Sequence, residues 1–360
     1  MHLRKTAMGV SLFAALSLFI SACSSAPKNA EEQTAQGKNS DFLGCEVTDV
    51  GGVDDKSFNQ TAWKGLQDAQ KDLGIQAKVL ESQSPNDFEP NITAAIQQNC
   101  DLIVTVGFLL GDATAQAAKQ NPDQKFAIVD FNFTTKSGKD LTYDNVRELT
   151  FATDEAAFLA GYLAAGMSKT GKVGTFGGIN IPTVSIFMNG FAAGVQYYNQ
   201  QNNKDVKVLG WDLEKQDGLF SGDFEDQDKG KRITENLLSE GADIIMPVAG
   251  PVGLGSAAAV EQAGDASLIW VDTDGCVSAP EYCDIFLTSV MKNMDVAVHD
   301  TTEQTVDGQF QGGLYVGTLE NQGVGIAPYH EFEAKVPSDL KSQIDDLRRK
   351  IIAGEIDVAG

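Results

Sequence analysis

Beyond residue 41 the chain alternates between two hydrophobic rhythms. Short apolar runs at 75–80, 102–106, 126–130, 172–176, 206–210, 243–248, 267–272 and 284–289 have strand character. Between them, positions 88–98, 154–167, 182–199, 229–239, 293–304 and 337–353 repeat apolar residues at helical spacing. Such alternation predicts an α/β fold of parallel sheets with helices on both faces. Glycines follow several strands: Gly51-Gly52, Gly107, Gly177-Gly178 and Gly250. Two of these edges precede residue 150 and two follow it, which predicts one doubly wound motif used twice around a cleft. The returning run at 284–289 predicts a hinge of several strands. The expected division is a first lobe of 41–150 plus 275–308 and a second of 151–274 plus 309–360.

The junction from Asp49 to Gln60 stands out. A strand-like run, Leu43 to Thr48, leads through Gly51-Gly52 into a helix whose Ala62, Leu66, Ala69 and Leu73 share one face. Gly74 stops that helix, and Ser57 and Gln60 have the spacing of a capping box. Asp54 and Asp55 are expected as caps or dipole partners at its start. Ligands of open α/β sheets sit beyond the carboxyl ends of the strands, so Phe58 and Asn59 are placed to touch something small.

The start of the chain predicts export. Arg4 and Lys5 precede a mostly apolar stretch from Ala7 to Ile20, and Ser21-Ala22-Cys23 follows. This is a signal peptide over 1–22, too short for a spanning helix, with Cys23 as the lipidated first residue. Residues 23–40 are polar and form a tether. The expected location is the extracytoplasmic side of the cell membrane, held by lipid. Net charge is 27 − 50 = −23, which excludes nucleic acid as a partner because phosphate binding needs a basic face. Export permits disulfides, and two are expected. Cys276 and Cys283 bracket a short loop, while Cys45 and Cys100 begin strands that a 2-1-3 order makes neighbours. No metal and no cofactor are expected, since no Cys-x-x-Cys pair occurs and His299 and His330 alone survive processing.

Enzyme signatures fail on inspection. Gly166 to Val173 nearly spells a P-loop, but it ends in Val and lies between a helix and a strand, the reverse of the required order. Ser289-Val-Met-Lys292 and Lys169-Thr-Gly171 stand in the wrong order for a penicillin-recognising enzyme. A non-enzymatic binding protein is the reading that remains.

Five segments together resemble the basic membrane protein family, the substrate-binding lipoproteins of nucleoside ABC importers. They are Thr48 to Gln60, Phe158 to Ala165, Gly190 to Gly194, Val271 to Asp274 and Leu287 to Lys292. The resemblance implies a periplasmic-binding-protein type I fold, two Rossmann-like lobes with a multi-strand hinge. It also implies a nucleoside ligand, with purines expected, delivered by a monomer to an ABC permease and its ATPase. By similarity Phe58 stacks on the base, and a second ring comes from the other lobe, either Phe220 or Phe224. Asn59 and Asp130 take base edges, Asp272 takes the ribose diol, and Lys292 donates to a ribose oxygen. Asp49, Phe187, Met188 and the backbone from Gly250 to Gly253 line the pocket. On the residues alone, Phe58 is more often core, Asp130 and Asp272 are as often turn caps as ligand groups, and Lys292 is more often solvated. Two rivals stand beside this reading: a receptor for a sugar or other small polar metabolite, and a nucleoside hydrolase or phosphorylase.

Overall fold

Two six-stranded sheets organise the chain in the computed structural model, which describes residues 39–134, 138 and 141–358. The expected signal peptide, Cys23 and the tether up to residue 38 lie outside the described residues. In chain order the first stretch is β1 (Leu43–Val47), α1 (Phe58–Leu73), β2 (Gln76–Leu80), α2 (Phe88–Gln97), β3 (Leu102–Val106), α3 (Gly111–Gln120), β4 (Lys125–Val129) and β5 (Val146–Phe151). The second is α4 (Thr153–Met167), β6 (Lys172–Gly177), α5 (Pro182–Asn202), β7 (Lys207–Leu209), β8 (Trp211–Asp212), β9 (Asp217–Gly218), α6 (Gln227–Ser239), β10 (Ile244–Val248), α7 (Val252–Ala263) and β11 (Ser267–Asp272). The return consists of α8 (Gly275–Ser278), β12 (Phe286–Lys292), α9 (Met294–Val306), β13 (Gly313–Gly317), β14 (Val324–Ile326) and α10 (Ser338–Ile352).

The sheets match strand for strand. One has the order β13-β5-β4-β3-β1-β2 and the other β14-β12-β11-β10-β6-β7. All pairings in the first are parallel, whereas β14 runs antiparallel to β12 in the second. Thus β4 and β11 occupy equivalent places, as do β5 and β12. The carboxyl ends of equivalent strands are where a doubly wound sheet offers its binding edge.

The lobe boundaries depart from expectation. β12 belongs to the second sheet beside β11, so residues 286–292 are not part of the first lobe. Six of its seven residues are buried, which suits a strand covered on both faces. Conversely β13, expected in the second lobe, pairs with β5 in the first. The chain therefore crosses between sheets three times: after β5, after β12 and after β13. These crossings form the expected multi-strand hinge. Strands β5, β13 and β14 were not anticipated, because Val146–Phe151 carries Arg and Glu and Gly313–Gly317 carries only three apolar side chains.

Two of the segments that carried the family resemblance are packing devices. α4 has eleven of its fifteen residues buried, and it crosses α5 at contact distance. A methyl group at Gly161 would stand 2.0 Å from the Phe191 carbonyl, and one at Gly194 would stand 2.0 Å from that of Phe158. Only glycine lets the two backbones approach so closely. Both expected disulfides form. Cys45–Cys100 ties β1 to the approach to β3, and Cys276–Cys283 closes the loop after β11.

Candidate functional site

Both lobes send the ends of their central strands into one cleft. Its walls are Asp49, Val50, Asp55, Phe58, Asn59 and Asp130 from the first lobe, with Thr183, Val184, Phe187, Phe224, residues 248–251, Asp272 and Lys292 from the second. The space between these walls, open solvent included, is about 490 Å³.

The cleft polar groups are unusual in their backbone as well as their chemistry. Asp130 follows β4 with φ of 62°, and Asp272 ends β11 with φ of 70°. Side chains rarely adopt this left-handed region, and residues held there cluster at functional sites. The matched positions of β4 and β11 thus present two strained carboxylates to each other across the cleft. Between them lies Lys292, the last residue of β12 and only 2% exposed. Its Nζ stands 2.5 Å from Asp130 Oδ2 and 3.5 Å from Asp272 Oδ1. The same ammonium lies 5.0 Å from the ring centres of both Phe58 and Phe187, within cation–π range. Burial works to lower the Lys292 pKa, but the two carboxylates outweigh it and hold the ammonium charged. Asp130 is pushed up, chiefly by burial against the opposing pull of Lys292, because one ammonium cannot fully compensate two buried carboxylates.

On the first lobe the start of α1 is organised by Asp55. Its carboxylate accepts from the backbone amides of Ser57 (3.0 Å), Asn59 (2.8 Å) and Gln60 (3.0 Å). The capping box expected between Ser57 and Gln60 therefore does not form: Asp55 takes the amides that Ser57 would have capped, and Ser57 makes no side-chain cap bond. Asn59 Nδ2 donates to Asp49 Oδ1 at 2.8 Å, leaving Asn59 Oδ1 as a buried acceptor without a partner. Asp49 in turn is pressed against Gly107, where φ is 113° and a methyl group would stand 2.6 Å from Oδ2. No other residue fits there easily.

Burial pushes the Asp49 pKa up to about 8, the Asn59 amide opposing it and Asp55, Asp130 and Asp272 adding to it. Burial likewise raises Asp55 to about 6 against the three amides that lower it. Behind them Glu46 on β1 is fully buried, both its oxygens lack partners, and burial holds its pKa well above the usual carboxylate range. These groups bind protons in the folded state that they release when unfolded. Their contribution is intact below about pH 4 and is lost as pH rises through the folded values. Stability to urea is accordingly expected to fall between pH 4 and pH 8, and Asp49→Asn is expected to flatten that slope. Parallel slopes in wild type and variant would contradict the protonation of Asp49.

Most of the expected site residues converge. Asp49, Phe58, Asn59, Asp130, Phe187, Phe224, Gly250, Asp272 and Lys292 all line the cleft. Three do not. Phe220 turns away, with its ring 6.1 Å from Trp211 and a bridge from its backbone to Gly177. Met188 is fully buried in the main core, one helical position past Phe187. Gly253 lies inside the first turn of α7, where a methyl group would meet Trp270 at 3.0 Å. Conversely, Thr183 and Val184 were not anticipated, being ordinary residues in the first turn of α5. Nor was Ser57, whose Oγ donates to Asp272 Oδ2 at 2.7 Å. That bond spans 215 positions, and no local pattern announces it.

A two-lobed α/β receptor with a polar, aromatic-walled interlobe cleft is the architecture of an ABC solute-binding protein. Residues 43–360 match the family described as ABC transporter substrate-binding protein PnrA-like, the Bmp family, and the chain belongs to it. It is 32% identical to the CD4+ T-cell-stimulating antigen of Listeria innocua, the match covering 99% of each chain. It is 34% identical to the ABC transporter nucleoside-binding protein BmpA of Lactococcus lactis, covering 88% of this chain and 89% of that one. Among solved structures, an ABC transporter solute-binding protein from Aeropyrum pernix K1 superposes with a TM-score of 0.78 at 29% identity. That match covers 88% of this chain and 92% of the other.

Proposed function

We propose that this protein binds a nucleoside, with a purine base, between its lobes and delivers it to an ABC permease. The observation that carries the reading is the pairing, in one cleft, of Phe58 and Phe224 from opposite lobes with the buried Asp130–Lys292–Asp272 cluster. A planar aromatic base gains ~1–3 kcal/mol from each stacking contact, and two rings from two lobes give it a place only when the lobes close. A ribose diol offers two hydroxyl protons, which suit the carboxylate of Asp272, while Lys292 supplies a donor for a ribose oxygen. Asn59 Oδ1 accepts from a base N–H, and the protonated carboxyl of Asp49 extends the same edge. The homologue whose name specifies nucleosides supports this assignment.

Closure around the three crossings would convert ligand contacts into a signal that the permease reads. In this reading the chain is exported and anchored through Cys23 on the extracytoplasmic face of the membrane, and it acts as a monomer. Nothing in the cleft is assigned a chemical step, and the ligand is expected to leave unaltered.

Thermal melting with inosine, guanosine, adenosine, cytidine, ribose and glucose separates the readings, because a ligand that binds only the folded state raises the melting temperature. The purine nucleosides are expected to give the largest shifts and to be recovered intact by chromatography. A larger shift with a sugar would favour the sugar receptor, and appearance of free base would favour the hydrolase.

A further inference from the structure

Ser57 stands at the start of α1 in the position of a cap, yet its hydroxyl is released from capping by Asp55. The side chain is fully buried and reaches across to the second lobe. Its Oγ is 2.7 Å from Asp272 Oδ2 and 3.4 Å from the Val271 carbonyl. Beside it the Lys56 carbonyl accepts from Trp270 Nε1 at 3.2 Å, so two successive residues of the first lobe bond to β11 of the second. The connected groups run Ser57, Asp272, Lys292, Asp130: they begin in the first lobe, enter the second and return to the first.

The geometry at Asp272 is asymmetric. Oδ2 accepts the serine proton at 2.7 Å, whereas Oδ1 stays 3.5 Å from the ammonium, beyond a close charge-assisted bond. A carboxylate released from the hydroxyl would turn toward Lys292 and close that gap, spending on the lysine the lone pairs that face the cleft. We propose that Ser57 is a positioning residue: it holds the Asp272 carboxylate in the orientation a ribose diol requires, and it ties that orientation to closure of the lobes. The inference rests on the nucleoside reading and adds to it a residue that never touches the ligand.

The test is a calorimetric comparison of inosine with 2′,3′-dideoxyinosine on wild type, Ser57→Ala, Asp272→Asn and the double variant. Wild type is expected to prefer inosine. Ser57→Ala is expected to weaken inosine about tenfold and the dideoxy analogue less than about twofold, as befits a lost hydrogen bond to a charged group that serves only the diol. In the Asp272→Asn background the same change is expected to alter inosine affinity by less than about twofold. Small-angle scattering should show the inosine-bound Ser57→Ala protein more open than bound wild type. Equal weakening of both ligands, or an unaltered inosine affinity, would overturn the positioning role. A wild type that binds both ligands equally would instead overturn the assignment of the diol to Asp272, a separate failure. Should Ser57→Ala not fold, Ser57→Gly removes the same hydroxyl and carries the same comparison.

Discussion

Lys292→Met is expected to abolish nucleoside binding and to lower folding stability by about 3–5 kcal/mol, the usual cost of leaving a buried charge without its partner. Lys292 is 2% exposed, and both neighbouring carboxylates are nearly as buried. Methionine fills much of the same volume but returns nothing to Asp130 or Asp272. Asp130, already pushed up by burial, would then face Asp272 without the ammonium that opposes that rise, and would resist ionisation further. The deficit should therefore depend on pH. With the ammonium gone, the folded-state pKa of Asp130, already raised by burial, rises further above its unfolded value, so the deficit is small where Asp130 is protonated and grows as pH rises through that value. Urea unfolding at pH 5 and pH 7.5 measures it, with the larger difference from wild type at the higher pH. Adding Asp130→Asn should restore part of the stability, though not the binding, since the ribose donor is still missing. A Lys292→Met protein as stable as wild type at pH 7.5 would show that the cluster is more solvated than its geometry indicates.

The second large effect concerns the aromatic walls. Phe58→Ala and Phe224→Ala are each expected to weaken purine nucleoside binding by ~1–3 kcal/mol, the contribution of one base–ring contact. Phe58 begins α1 and is half-buried, so its loss leaves the helix and its cap at Asp55 in place. Phe224 lies in the loop before α6, with its ring against Gly178, where a methyl group would stand 2.3 Å away. Phe220 provides the control. It packs on Trp211 and Gly177 outside the cleft, so Phe220→Ala should reduce stability while leaving affinity within about twofold. Calorimetry and urea melts of the three variants distinguish these roles. An affinity loss confined to Phe220→Ala would reverse the assignment of the two rings.

The contrast between these phenylalanines marks how far the sequence could be read. Strand-ending glycines and alternating apolar runs disclosed the repeated motif, because parallel strands covered by helices leave a strong local signal. Phe58 and Asn59 stand at the start of a legible helix and Asp130 and Asp272 at the ends of legible strands, but the ligand roles of Asp130, Asp272 and Lys292 came from the family resemblance, and Lys292 lies beyond the run expected at 284–289. Phe220 and Phe224 lie in an irregular connection, where spacing carries no register, and only the folded chain separates them. The lobe boundary was misplaced for a related reason: β12 looks like any buried strand, and its neighbour is chosen by topology rather than by its own residues. Polar contacts between distant segments were the least legible. Ser57 and Asp55 both read locally as helix caps, and that Asp55 takes the amides and so frees Ser57 for Asp272 becomes visible only in three dimensions.

Titration calorimetry of the full chain with guanosine, guanine and ribose, each alone, tests the central claim most directly. Stacking by two rings and diol recognition by Asp272 act on different halves of one ligand, so the account predicts one site per chain, tight binding of guanosine, and far weaker binding of either half. Ribose binding as tightly as guanosine, or no heat with guanosine, inosine or adenosine, would contradict it.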